Sequence, residues 1–118
     1  MLVLNNTIVA RNTANIVSGD IFRAMGTITG NNNLIGNAAG QPLVNNVNSN
    51  IVGLTTTQLA GLFVNAATGN YRLAAGSSAI DKGSNNLIPD GITTDLDGNA
   101  RIVGSAVDIG AYEYGTAP

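Results

Sequence analysis

The chain has no cysteine, no histidine and no tryptophan, and only 10% of its residues are charged. Without Cys there are no disulfides and no thiol chemistry. Without His there is no zinc site of the usual kind and no imidazole to act as a general base. A typical soluble domain carries about 25% charged residues. Here Asn, Thr, Ser and 15 glycines take their place beside a 44% hydrophobic content. Solubility therefore rests on neutral hydrogen-bonding side chains. Disorder is excluded by Ile, Val and Leu recurring along the whole chain with a net charge of only −2. That charge, with no basic run, argues against nucleic acid or an anionic membrane as partner. No apolar stretch approaches the roughly 20 residues that span a bilayer, so no membrane span is expected.

The 118 residues amount to one domain. The start, Met1-Leu-Val-Leu-Asn-Asn-Thr-Ile-Val, lacks the basic region and cleavage site of a signal peptide and enters directly on a strand-like pattern. It is expected to open an excised or mature segment. Absence of Cys is compatible with bacterial export.

Apolar residues come in short bursts bounded by Asn, Gly or Thr: Leu2-Val-Leu, Ile8-Val-Ala, Asp20-Ile-Phe, Gly26-Thr-Ile-Thr, Leu34-Ile, Leu43-Val, Ile51-Val, Leu62-Phe-Val and Tyr71-Arg-Leu. Such bursts read as brief strands. One helical turn is expected in Thr55-Thr-Thr-Gln-Leu-Ala-Gly-Leu-Phe63, where Thr can cap and Gly61 weakens the end. A faint repeat links Asn6-Thr-Ile-Val, Asn33-Leu-Ile-Gly, Asn50-Ile-Val-Gly and Asn86-Leu-Ile-Pro. Short strands recurring after Asn suit a solenoid, with Asn in left-handed corners and Asn side chains bonded between rungs. An antiparallel sandwich would need longer alternating strands. The expected fold is thus all-β, a right-handed parallel β-helix segment with an irregular C-terminal cap.

Four stretches carry a family resemblance. They are Asn6-Thr-Ile-Val-Ala-Arg-Asn, Gly26-Thr-Ile-Thr-Gly-Asn-Asn-Asn-Leu-Ile-Gly, Asn70-Tyr-Arg-Leu-Ala-Ala-Gly-Ser-Ser-Ala-Ile-Asp-Lys-Gly, and Thr94-Asp-Leu-Asp-Gly-Asn-Ala-Arg through Asp108-Ile-Gly-Ala-Tyr-Glu-Tyr. From Leu2 to Tyr114 the chain resembles the C-terminal part of bacterial surface proteins with a right-handed parallel β-helix and a choice-of-anchor Q region. Ser78 and Ala100 stand where that family usually has Pro. The resemblance implies export, an extracellular or cell-surface location, and β-helix coils over 1–69 continuous with a cap over 70–118. It implies little about chemistry.

The segment 94–114 holds four of the seven carboxylates. Asp95, Asp97 and Asn99 alternate as calcium ligands do, which makes them the candidate metal site and calcium the one candidate cofactor. Gly98 falls one place too early for an EF-hand. The competing reading is a tight turn over Asp97-Gly98-Asn99, with Asp side chains capping backbone amides and Arg101 paired to Asp108 or Glu113. That reading is preferred.

No catalytic residue is assigned. A polysaccharide-cleaving enzyme would need paired carboxylates on one groove, and before Tyr71 the only charged groups are Asp20, Arg11 and Arg23. Asp81 or Asp90 could join Asp20 only through folding. Phe22 and Phe63 are expected in the core. Tyr112 and Tyr114 are expected to pack under the final rung, with Glu113 on the opposite side. The charge of 90–113 reads as a cap over an open rung end. Function is accordingly expected to be structural or adhesive, in a secreted or surface protein. Candidate partners are upstream coils, a cell-surface glycan, or further copies joined end to end in a filament. A fragment of a polysaccharide-degrading enzyme is the third reading.

Overall fold

In a computed structural model, which describes residues 1–12, 19–21, 23 and 25–115, the first strands stack in parallel. β1 (Leu2–Asn5) pairs with β3 (Ile28–Asn31), and β2 (Ile8–Val9) pairs with β4 (Leu34–Ile35). On its other side β4 pairs with β5 (Ile51–Val52). The register sets Ile8 level with Leu34 and Ile51. Polar corners precede the strands. Asn6, Asn32 and Ser49 sit at the same level and have φ of 50°, 56° and 59°. Asn is the non-glycine residue that most readily accepts this left-handed backbone.

The following position forms a ladder of side-chain amides. Asn50 Oδ1 accepts from Asn33 N at 3.0 Å, and Asn33 Oδ1 accepts from Thr7 N at 3.0 Å. Asn33 Nδ2 donates to Leu4 O at 2.7 Å, as Asn50 Nδ2 donates to Gly30 O at 2.9 Å. Asn33 is fully buried and Asn50 nearly so. Their polar atoms are all matched, which is the condition for keeping an amide in an interior. The level partner in the first rung is Thr7, not the Asn6 that the repeat suggested. Asn86 falls in a 3₁₀ turn, Asn85–Leu87, and has no place in the stack.

After β5 the pattern changes. Helix α1 (Thr56–Ala60) begins with a capping box: Thr55 Oγ1 accepts from Gln58 N, and Gln58 Oε1 accepts from Thr55 N. It stops at Gly61, as expected. β6 (Phe63–Asn65) and β7 (Asn70–Leu73) then form an antiparallel hairpin. A 3₁₀ turn, Ala66–Thr68, and Gly69 at φ 84° reverse the chain between them.

The right-handed parallel β-helix is therefore not the fold. A β-helix returns every coil to the same continuous sheets. Among the described residues the strands fall in three small separate sheets, of two, three and two strands, and no coil closes on itself. Most of the described chain is turn and coil. Asp20-Ile21 and Leu43-Val44 form no strand, and the hairpin reverses the direction of pairing. The physical reason lies in the hairpin and in the many Gly, Pro and Asp turns after Leu73, which leave no further run able to pair in register. The radius of gyration of 14.1 Å is close to the about 13–14 Å expected of a compact domain this long, not of a shaft.

One core serves both parts of the chain. Leu34, Leu62, Leu73, Ala79 and Ile109 are buried together, with Ile8, Ile51, Leu54 and Phe63 packed around them. The segment expected to cap the last rung thus contributes Ile109 to the interior. It also meets the first rung: Gly110 N donates to Asn6 O, and Ser84 N to Asn6 Oδ1. No Cβ fits at Gly83, where it would lie 2.6 Å from Val107 Cγ1 and 2.7 Å from Val107 O. Phe22 lies outside the described residues.

Candidate functional site

Two places could carry chemistry or binding. The first is the carboxylate cluster in the C-terminal segment. Asp95 Oδ1 accepts from the amides of Asp97 and Asn99, at 2.9 and 3.0 Å, and Asp95 Oδ2 accepts from Glu113 N at 3.0 Å. Around it the backbone makes a tight turn, with Gly98 N donating to Asp95 O and Gly98 at φ 84°. Asp97 points elsewhere, onto the Arg72 guanidinium, which donates from Nε and NH2 at 2.7 and 2.5 Å. That pair holds the Asp97 carboxyl below its ordinary range. Arg72 also lies over the Tyr112 ring, 5.2 Å from its centre.

Asp95, Asp97 and Asn99 are therefore neighbours in one turn, but their acidic oxygens do not converge. Three N–H donors surround Asp95, which is an environment for an anion. Among the described residues no group of three or more acidic side chains is arranged to hold a metal ion. Calcium would have to displace these amides and the Arg72 pair.

Deeper in the cluster, Asp108 accepts from Asp81 N at 2.7 Å and Tyr114 N at 2.6 Å. Glu113 accepts from Asp108 N at 2.9 Å and from Arg101 NH1 at 2.5 Å. Arg101 NH2 donates to Gly110 O at 2.7 Å. Of the two partners the sequence offered Arg101, the fold selects Glu113. Glu113 is 5% exposed and Asp108 1%. Burial pushes the Glu113 carboxyl from 4.5 up to about 7, against the pull of the Asp108 amide and Arg101. It raises Asp108 as well. The expected placement of the tyrosines fails here. Glu113 is the residue turned inward, Tyr114 is exposed, and Tyr112 sits beneath Arg72. A carboxylate with an amide and a guanidinium to meet it outcompetes tyrosines for that position.

The remaining candidate for acid chemistry, Asp20, is likewise engaged. It accepts from Asn12 N at 2.8 Å and from Asn37 N at 2.6 Å, tying two loops together.

The second place is a groove of about 540 Å³ beside β2. Ile8, Val9 and Ala10 form its floor, and Phe63, Tyr71, Leu73 and Tyr112 stand among its walls. Phe63 and Tyr71 meet edge to face, with ring centres 5.4 Å apart. Among the described residues no charged one lines it. No local pattern signals it, because it is built from a hairpin that only tertiary structure sets opposite β2. The Thr68-Gly69-Asn70 turn was the available signal for that hairpin.

The chain matches no family model, and comparison with the curated proteins and with solved structures gives no match either.

Proposed function

We propose that this chain is a non-catalytic structural and adhesive segment of a secreted or surface-exposed bacterial protein. One observation carries the reading: the buried carboxylates Asp95, Asp108 and Glu113 all hold backbone amides in place, and the groove they could have served contains no acid. Polysaccharide cleavage needs two carboxyl groups across one groove. The charge-poor, Asn- and Thr-rich composition and the motif resemblance over 70–83 and 94–114 support the location. Incubation with a panel of neutral and acidic polysaccharides should release no reducing ends above the blank. Protease treatment of intact source cells should remove the segment. Release of sugar ends that Asp20→Asn or Glu113→Gln abolishes would overturn the first half of the proposal. Full protection of the segment in intact cells would overturn the second.

A further inference from the structure

The groove beside β2 lies where the three-stranded sheet is incomplete. In a parallel ladder each residue turns its N–H and C=O to the same neighbour, and alternate residues face opposite neighbours. Leu34 N bonds to Thr7 O and Gly36 N to Val9 O, both at 2.9 Å. Thr7 and Val9 therefore face β4, and Ile8 turns its N–H and C=O outward. Among the described residues neither group has a partner. One residue group away the edge is covered, since Gly110 N bonds to Asn6 O at 2.9 Å. Gly110, at φ 101°, then swings the chain away. Among the described residues no strand pairs with β2 on this side, which leaves the wedge between Ile8 and Tyr112.

We propose that an extended, uncharged peptide strand from another protein occupies this wedge. It would pair with the Ile8 N–H and C=O and seat an apolar side chain between Tyr71 and Tyr112. Strand addition to a free edge draws affinity from main-chain bonds and selectivity from the pockets for alternate side chains. The absence of charge from the lining selects a neutral segment, because an Asp or Lys there would lose its water with nothing to meet it. A second copy stacked head to tail is disfavoured by the far side of the sheet. There Val52 N is already bonded to Asn45 Oδ1 at 2.9 Å, so β5 offers no matching edge.

The test is selection of a displayed library of uncharged hexapeptides on the full chain, followed by synthesis of the enriched peptide. Titrated into ¹⁵N-labelled protein, it should shift the Ile8 amide and slow its hydrogen exchange. Ile8→Pro removes that N–H on the side where an edge strand tolerates Pro. It should weaken binding by roughly tenfold or more. Tyr71→Ser, a change at a half-exposed wall residue, should weaken it too. Should Ile8→Pro not fold, the same peptide N-methylated at alternate amides takes its place and should fail to bind. No enrichment from the library, or a peptide indifferent to both variants and to N-methylation, would overturn the proposal. So would signals at Ile8 and Tyr71 that move with maltohexaose and with no peptide, or a dimer in sedimentation that closes the edge by pairing β2 with β2.

Discussion

Between pH 4.5 and 7.5 the chain should lose stability steadily, and Glu113 should be the main cause. Its carboxyl is raised from 4.5 to about 7 by burial, so the folded state holds a proton that the unfolded chain gives up earlier. A raised folded value means the stabilisation is complete below pH 4.5, declines as pH rises, and is exhausted above about 7. At about 1.4 kcal/mol for each tenfold change in proton affinity, the full loss is roughly 3 to 4 kcal/mol. For a domain of this length that lowers the melting temperature by roughly 15 °C. The absence of histidine makes the window unusually clean, since no other side chain has an ordinary pKa inside it. Asp108 is raised in the same direction and adds to the acid end of the slope. Asp97 works oppositely, and only in stronger acid, because its lowered carboxyl supports the fold until the pH falls through its folded value. The assay is urea unfolding at half-unit pH steps, on wild type and on Glu113→Gln. The variant starts less stable, because one of the carboxyl oxygens that accept from Arg101 and the Asp108 amide becomes an amide nitrogen, but its slope between pH 5 and 7 should be much flatter. A wild-type stability that is level or rises across that window refutes the reasoning, as does an unchanged slope in the variant.

Asn33→Leu should cost roughly 2 to 4 kcal/mol in the same unfolding assay, because it leaves the half-buried Thr7 N and Leu4 O without their partner. Gly30→Ala should be among the most damaging single changes and is expected to yield little folded protein. Its Cβ would lie 1.7 Å from Leu4 O, at a φ of 151°. Gly69→Ala, with open space around it, should cost only about 1 kcal/mol from its left-handed backbone. Asp95→Ala should destabilise by roughly 1 to 3 kcal/mol through three stranded amides. Millimolar calcium should leave the melting temperature of wild type unchanged. A calcium-dependent rise that Asp95→Ala removes would establish the metal reading instead.

The rungs were legible because their signal is local. At Asn33 and Asn50 an Asn followed by two β-branched or leucine residues marks a buried amide of the ladder and the short strand after it, with the left-handed corner one residue earlier at Asn32 and Ser49. The helix was legible in the same way, since Thr55 and Gln58 cap each other within one turn. Closure into a solenoid was not legible, because it depends on whether each later burst finds a partner at sheet distance. Leu43-Val44 finds none, and Phe63 finds Leu73 running the opposite way. Alternation alone placed Tyr112 and Tyr114 inside and Glu113 outside. What reversed them was Arg101 and the Asp108 amide, whose positions follow from the path of 101–110 and from no nearby sequence. The turn at Asp95 could be read because its donors are only two and four residues away. The groove could not be, because its walls at 63–73 and 110–112 are roughly 55 to 100 residues from β2 in sequence.

The bonds that join Asn6 to Ser84 and Gly110 bear on the order in which the molecule is finished. Asn6 lies in the first corner of the chain, and its side-chain partner is 78 residues further on. During synthesis from the N-terminus, the rungs can pair as soon as residues 28–52 are available, yet their outer corner stays unsatisfied until residues 84–110 have been made. Closing so long a loop is slow compared with forming local turns. The chain thus remains loose through most of its synthesis and locks late.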